Sequence, residues 1–144
     1  MLELANHRTI ALDSNVLIYL FETAGPLAEA AASIVDGVEA GDRDAVLSAI
    51  AVVEMLAGPA TSGDARGFEL TAEAIRDLRI RVVPLDQATA QDAAWIRGSL
   101  GIEMGDAVHL ASARTAGATA FITNDHRLRS IPRLDVLYLD DLVA

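Results

Sequence analysis

Short apolar runs recur along the chain at TIALD, AVLSA, IRVVPL, ATAFIT and VLYL, and the first four are separated by stretches whose apolar residues fall at helical spacing. Alternating βα units of this kind point to a parallel sheet with right-handed crossovers. Strands buried on both faces read as continuous apolar runs, so helices are expected on both sides of the sheet. Apolar residues make up 52% of the 144 positions, yet no uninterrupted run approaches the ~18 residues that a bilayer crossing needs. The expectation is one α/β domain over residues 1–144, with no membrane span.

Local signals place the elements. TIALD ends at Asp13, after which Ser14 is expected to cap a helix carrying Val16, Leu17, Leu20 and Phe21. A second helix is expected from Pro26 to near Gly41, the third from IAVVEMLA with its stop at Gly58-Pro59, and the fourth over residues 64–78. Asp86 is placed to cap a fifth helix that contains Trp95 and Ile96 and ends at Gly101. A sixth starts near Gly105, ends at Gly117 and leads through ATAFIT to Asp125.

Several chemistries are excluded by composition. Without cysteine there is no disulfide, thiolate metal site or cysteine nucleophile. All 11 basic residues are arginine, which removes Walker A loops, Schiff bases and the lysine-assisted phosphotransfer of receiver-like and haloacid-dehalogenase-like sites. The start MLELANHRTIALD carries no basic segment followed by an apolar stretch of signal length, so the expected location is cytoplasmic. A net charge of −10 opposes a broad electrostatic footprint for nucleic acid.

Acids mark the ends of the elements instead. Asp13 and Asp125 each follow a strand, Asp106 lies in the first turn of a helix, and Glu54 interrupts an apolar helix. Taken singly, the three aspartates are as readily helix caps or turn formers. Ligands of open α/β sheets bind beyond the carboxyl ends of the strands, where the strand order reverses, so Asp13 and Asp125 would meet there if TIALD and ATAFIT are neighbouring strands, and Glu54 could approach the same point. Oxygen donors of this kind suit Mg²⁺ or Mn²⁺. Such a cation activates water and neutralises charge developing on a phosphodiester, which lets an acidic pocket cut an acidic polymer.

The same residues carry a family resemblance. LDSNVLIYL resembles the opening motif of PIN-domain ribonucleases, SAIAVVEMLAG the second, GDAVHLASA the third and FITNDHRL the fourth. The resemblance implies a three-layer α/β/α sandwich and a metal-dependent endoribonuclease. Its site residues would be Asp13, Glu54, Asp106 and Asp125 as catalytic and metal-holding acids, supported by Ser14, Asn15 and Thr123. A chain this undecorated is similar to the VapC-like toxins of toxin–antitoxin pairs. That implies a homodimer and a cognate antitoxin whose basic C-terminal segment occupies the acidic groove. Ala51 stands where many members carry Thr.

Other readings remain beside it. A catalytically silent PIN-like interaction module, or a PIN nuclease of RNA processing without an antitoxin, would carry the same motifs. His109, one turn beyond Asp106, is read as a hydrogen-bonded structural histidine. Arg127, Arg129 and Arg133 are candidate contacts to RNA phosphates.

Overall fold

The computed structural model describes residues 2–21 and 24–143. After a short 3-10 turn, strand β1 (Thr9–Leu12) leads into helices α1 (Ser14–Phe21) and α2 (Pro26–Glu39). Strand β2 (Asp44–Ser48), helices α3 (Ala49–Ser62) and α4 (Ala65–Asp77) and strand β3 (Ile80–Val83) follow. Helices α5 (Gln87–Leu100) and α6 (Met104–Thr115), then strands β4 (Ala120–Thr123) and β5 (Asp135–Tyr138), complete the fold before a closing 3-10 turn.

The strands form one parallel sheet in the order β3-β2-β1-β4-β5, with Leu12 opposite both Leu47 and Ile122. Along β1, Ile10 and Leu12 turn to one face and Ala11 to the other, and all three are buried. Ala45, Leu47, Ala120 and Ile122 join the first pair in a core with α1, α2 and Met55 of α3. Val46, Phe121 and Val136 join Ala11 in a second core with α5 and α6. Burial of both faces explains the continuous apolar runs and produces the expected three-layer α/β/α sandwich. Among the described residues, no helix is long and apolar enough to cross a membrane.

Two boundary expectations are corrected. Helix α3 is not stopped by Gly58-Pro59; it continues to Ser62 with Pro59 inside it. Proline forfeits one backbone bond and strains the turn before it, whereas Gly63 at φ 70 enters the left-handed region and ends the helix. There the N–H groups of Gly63 and Asp64 donate to the carbonyls of Ala60 and Pro59. The second correction concerns Ser14, which is the first residue of α1 rather than its cap. Its hydroxyl is spent on carboxylates.

Candidate active site

The strand order reverses between β1 and β4, the location at which an open parallel sheet leaves a crevice beyond its carboxyl edge. Asp13 leaves β1 directly into that crevice, with its N–H continuing the ladder to the Ile122 carbonyl at 2.9 Å. The residue is 6% exposed and its carboxylate is held on several sides. The Thr123 hydroxyl, at the end of β4, donates to Asp13 Oδ2 at 2.7 Å. The Asn15 amide reaches the same oxygen at 3.4 Å, and the Ser14 hydroxyl reaches Oδ1 at 3.3 Å. All three residues expected to support the acids therefore touch Asp13, and their short side chains at a strand end and a first helical turn leave the carboxylate little freedom.

Glu54 comes from α3 on the neighbouring β2 crossover. Its apolar neighbours suggested burial, but this helix face looks outward: Val53 is 64% exposed and the Glu54 side chain 44%. The carboxylate is oriented by partners instead. It accepts from Ser14 Oγ at 3.2 Å and from His109 Nε2 at 2.6 Å. The His109 bond is the main cause holding the Glu54 pKa below its ordinary value, against partial burial.

His109 is the member of this constellation that sequence reasoning assigned to structure alone. It lies on α6 one turn beyond Asp106, is 2% exposed, and places Nε2 3.7 Å from Asp13 as well as 2.6 Å from Glu54. Burial works against its protonation, yet the Glu54 bond and the charges of Asp13, Glu54 and Asp106 outweigh that and raise its pKa. Among the described residues its Nδ1 is buried without a hydrogen-bond partner. The available signal was the i, i+3 spacing from Asp106, which sets both side chains on one helix face.

Asp106 is partly exposed at the start of α6. Among the described residues no hydrogen-bond donor reaches its carboxyl, and the N-cap position of α6 belongs to Glu103, so Asp106 does not cap the helix. Burial comes first, and then the negative charges of Asp125 and Asp13, in pushing its pKa up against Arg127 and His109. Asp125 is near enough to act on Asp106 in this way, but its own carboxylate is turned to Arg127. The guanidinium donates at 2.9 and 2.7 Å, and the Arg127 N–H adds a bond at 3.0 Å. That pairing is the leading cause of its lowered pKa.

One ligand atom each from Asp13, Glu54 and His109 can be chosen so that all lie within 4.8 Å of one another. Two hard carboxylates, with Asp106 beside them and without a hydrogen-bond donor among the described residues, form an oxygen donor set of the kind Mg²⁺ and Mn²⁺ accept, while the His109 ring nitrogen is engaged by Glu54. The excess of negative charge in a partly dry crevice also asks for a cation, so the residues fit the expected group. A separate concavity lies elsewhere: an apolar cleft of about 600 Å³ between α5 and α6, lined by Met104, Ala107 and Val108 on a different face of α6 from Asp106 and His109.

The PIN domain model matches residues 10–134. No curated protein matches the chain. Among solved structures, the fold is similar to a toxin–antitoxin complex from Klebsiella pneumoniae, with a TM-score of 0.66 and 21% identity over 87% of this chain and 94% of that one. It is similar to VapBC2 from Rickettsia felis, solved bound to a DNA fragment from its promoter, with a TM-score of 0.73 and 16% identity over 90% and 98% of the two chains. A third likeness is to VapC20 of Mycobacterium tuberculosis, a toxin that cleaves the sarcin–ricin loop, with a TM-score of 0.59 and 16% identity over 78% and 86%.

Proposed function

The chain belongs to the PIN domain family, and from that premise we propose that it is a metal-dependent endoribonuclease acting as the toxin of a VapBC-type toxin–antitoxin pair. The observation that carries the reading is the convergence of Asp13, Glu54 and His109 within 4.8 Å at the sheet's switch point, with Asp106 beside them. Residues 1–144 act in this reading as one domain.

Each side chain has a definable task. Asp13, Glu54 and Asp106 hold Mg²⁺ or Mn²⁺, with Asp125 completing the acidic wall. When bound, the cation supplies a water of lowered pKa and neutralises charge on the phosphodiester oxygens. Thr123, Ser14 and Asn15 keep Asp13 in place, so that little reorganisation is needed when charge develops. His109 keeps Glu54 turned into the crevice and offsets part of the acids' mutual repulsion. Asp106, with no internal donor, keeps its oxygens available for water or cation.

The similar structures include a toxin–antitoxin complex, which supports a cognate antitoxin for this chain; a homodimer is proposed on the family resemblance alone. The inhibitory segment is a cationic peptide, because an arginine can pair bidentately with Asp13 or Asp106 and stand in for cation and phosphate. Its affinity falls as salt rises. An inhibitor indifferent to ionic strength, or one that leaves the Asp13 and Asp106 region exposed, would exclude this mode.

The nuclease reading is tested with purified protein on single-stranded RNA and on DNA of the same sequence. RNA cleavage requires Mg²⁺ or Mn²⁺ and stops in EDTA. Asp13→Asn, Asp106→Asn and Asp125→Asn each lose at least about 100-fold in rate: the first two remove charge that binds the cation and stabilises the transition state, and the third removes charge from the acidic wall together with the partner that holds Arg127. Undiminished activity in one variant removes that residue from the site. No metal-dependent cleavage of RNA leaves a catalytically silent interaction module.

A further inference from the structure

On the Asp125 side of the pocket, the loop after β4 meets the end of β5. There His126 stacks on Tyr138 with ring centroids 4.1 Å apart and planes inclined by 16°. We propose that this pair is a stacking platform for an unpaired nucleobase of the RNA substrate, an inference that rests on the nuclease reading above.

The pair is built rigidly. The Tyr138 hydroxyl donates to the Leu128 carbonyl at 2.6 Å and accepts from Arg129 at 2.8 Å, while Arg129 also donates to the His126 carbonyl at 2.7 Å. His126 Nε2 donates to Asp140 at 2.9 Å, which sets the turn of the ring. Tyr138 covers the imidazole from one side, and 51% of the His126 side chain remains exposed.

Hydrogen bonds tie the platform to the acidic pocket. Asn15, which donates to Asp13, accepts from the Asn124 N–H at 3.3 Å, and the Asn124 side chain accepts from the Asp140 N–H at 3.2 Å. His126 itself directly follows Asp125. A phosphate at the acids therefore brings a neighbouring base within reach of the imidazole.

Charge decides which contact this rim offers. The Arg127 guanidinium is paired with Asp125 and the His126 Nε2 is bonded to Asp140, so neither polar group is turned to a phosphate. What His126 presents is a π face. Arg129, bonded to neutral oxygens and without a carboxylate partner among the described residues, keeps its charge for the backbone of the same nucleotide. Base stacking on a fixed aromatic face tolerates any base, so the platform selects single strands rather than a sequence.

The test compares the full chain with His126→Ala and His126→Phe. Binding of a labelled single-stranded oligoribonucleotide is followed in EDTA, and cleavage in Mn²⁺. His126→Ala weakens affinity and raises KM by about 10-fold, the scale of one lost base stack, while kcat stays within about threefold. His126→Phe keeps both near the parent values. A duplex of the same sequence, whose bases are already stacked, binds parent and His126→Ala alike, and the salt dependence of single-strand binding is unchanged. If the parent cleaves RNA and His126→Ala matches it in affinity and KM, the platform falls and the nuclease reading stands. If His126→Phe loses as much as His126→Ala, the hydrogen bond to Asp140 matters and the stack does not. A parent that neither binds nor cleaves RNA overturns both.

Discussion

The imidazole of His109 lies between two carboxylates, 2.6 Å from Glu54 and 3.7 Å from Asp13, and this has a pH signature. Its pKa is raised in the folded state, although burial opposes the charge. A basic group with a raised folded pKa contributes stability that is full below its unfolded value of about 6.5 and is lost as pH rises through the folded value. Glu54, whose pKa is lowered, loses its contribution only as pH falls through the acid range. In EDTA, urea unfolding of the parent should therefore weaken from pH 6 to pH 9, and His109→Gln should flatten that decline. An equal decline in both proteins would place the titration elsewhere. The same residue shows where reading the chain stops. A single histidine on a helix carries no motif, and only the approach of α6 to α3 gives it an acid partner. Asp13 was legible because it ends an apolar run. Glu54 was legible as an anomaly among apolar residues, though partners rather than burial orient it. Capping was the wrong physics for Ser14, since two carboxylates compete for its hydroxyl.

The strands and most helix limits followed from local rules. Asp64 and Asp86 accept from the N–H groups of Gly67 and Thr89, as N-cap residues do. Helix α3 departed from those rules. Pro59 signals a stop by sequence, but the turn survives with one bond missing, and the backbone reverses only where Gly63 permits φ 70. The two residues should respond oppositely to alanine. Pro59→Ala should stabilise the protein by about 1–3 kcal/mol through restored helical bonding and propensity. Gly63→Ala should cost about 1 kcal/mol, because a side chain disfavours the left-handed conformation. Chemical denaturation of both variants measures this. Destabilisation by Pro59→Ala would mean that the proline is shaping the turn rather than being tolerated within it. Nothing in the run of residues shows which face of α5 is outward either: Trp95 is 77% exposed beside a buried Ile96.

At the scale of the whole molecule, a parallel sheet covered on both faces brings acids distant in sequence to one edge, since β1 and β4 are neighbours although about a hundred residues separate them. Strand order is set by how the crossovers pack, so the adjacency entered the sequence reading only as a condition and could not be read from either strand. The net charge of −10 then becomes intelligible in the proposed reading: part of it is concentrated where the proposed cation would bind and where a cationic inhibitor would dock. The central claim is that these acids store repulsion that a divalent cation relieves. Asp106 reports on it best, because its pKa is raised by partial burial and by the charges of Asp125 and Asp13, and no hydrogen bond ties it to the fold. A carboxylate with a raised folded pKa lowers stability as pH rises through that value, so neutral pH without metal is the least favourable condition. The decisive measurement is thermal unfolding of the parent and Asp106→Asn at pH 7, first in EDTA and then in millimolar Mn²⁺. In EDTA the variant should be the more stable by up to about 1 kcal/mol, after allowance for solvent screening of a partly exposed group. Mn²⁺ should raise the Tm of the parent by mass action and that of the variant less. A variant less stable than the parent in EDTA, or equal gains from Mn²⁺ in both proteins, would contradict the account.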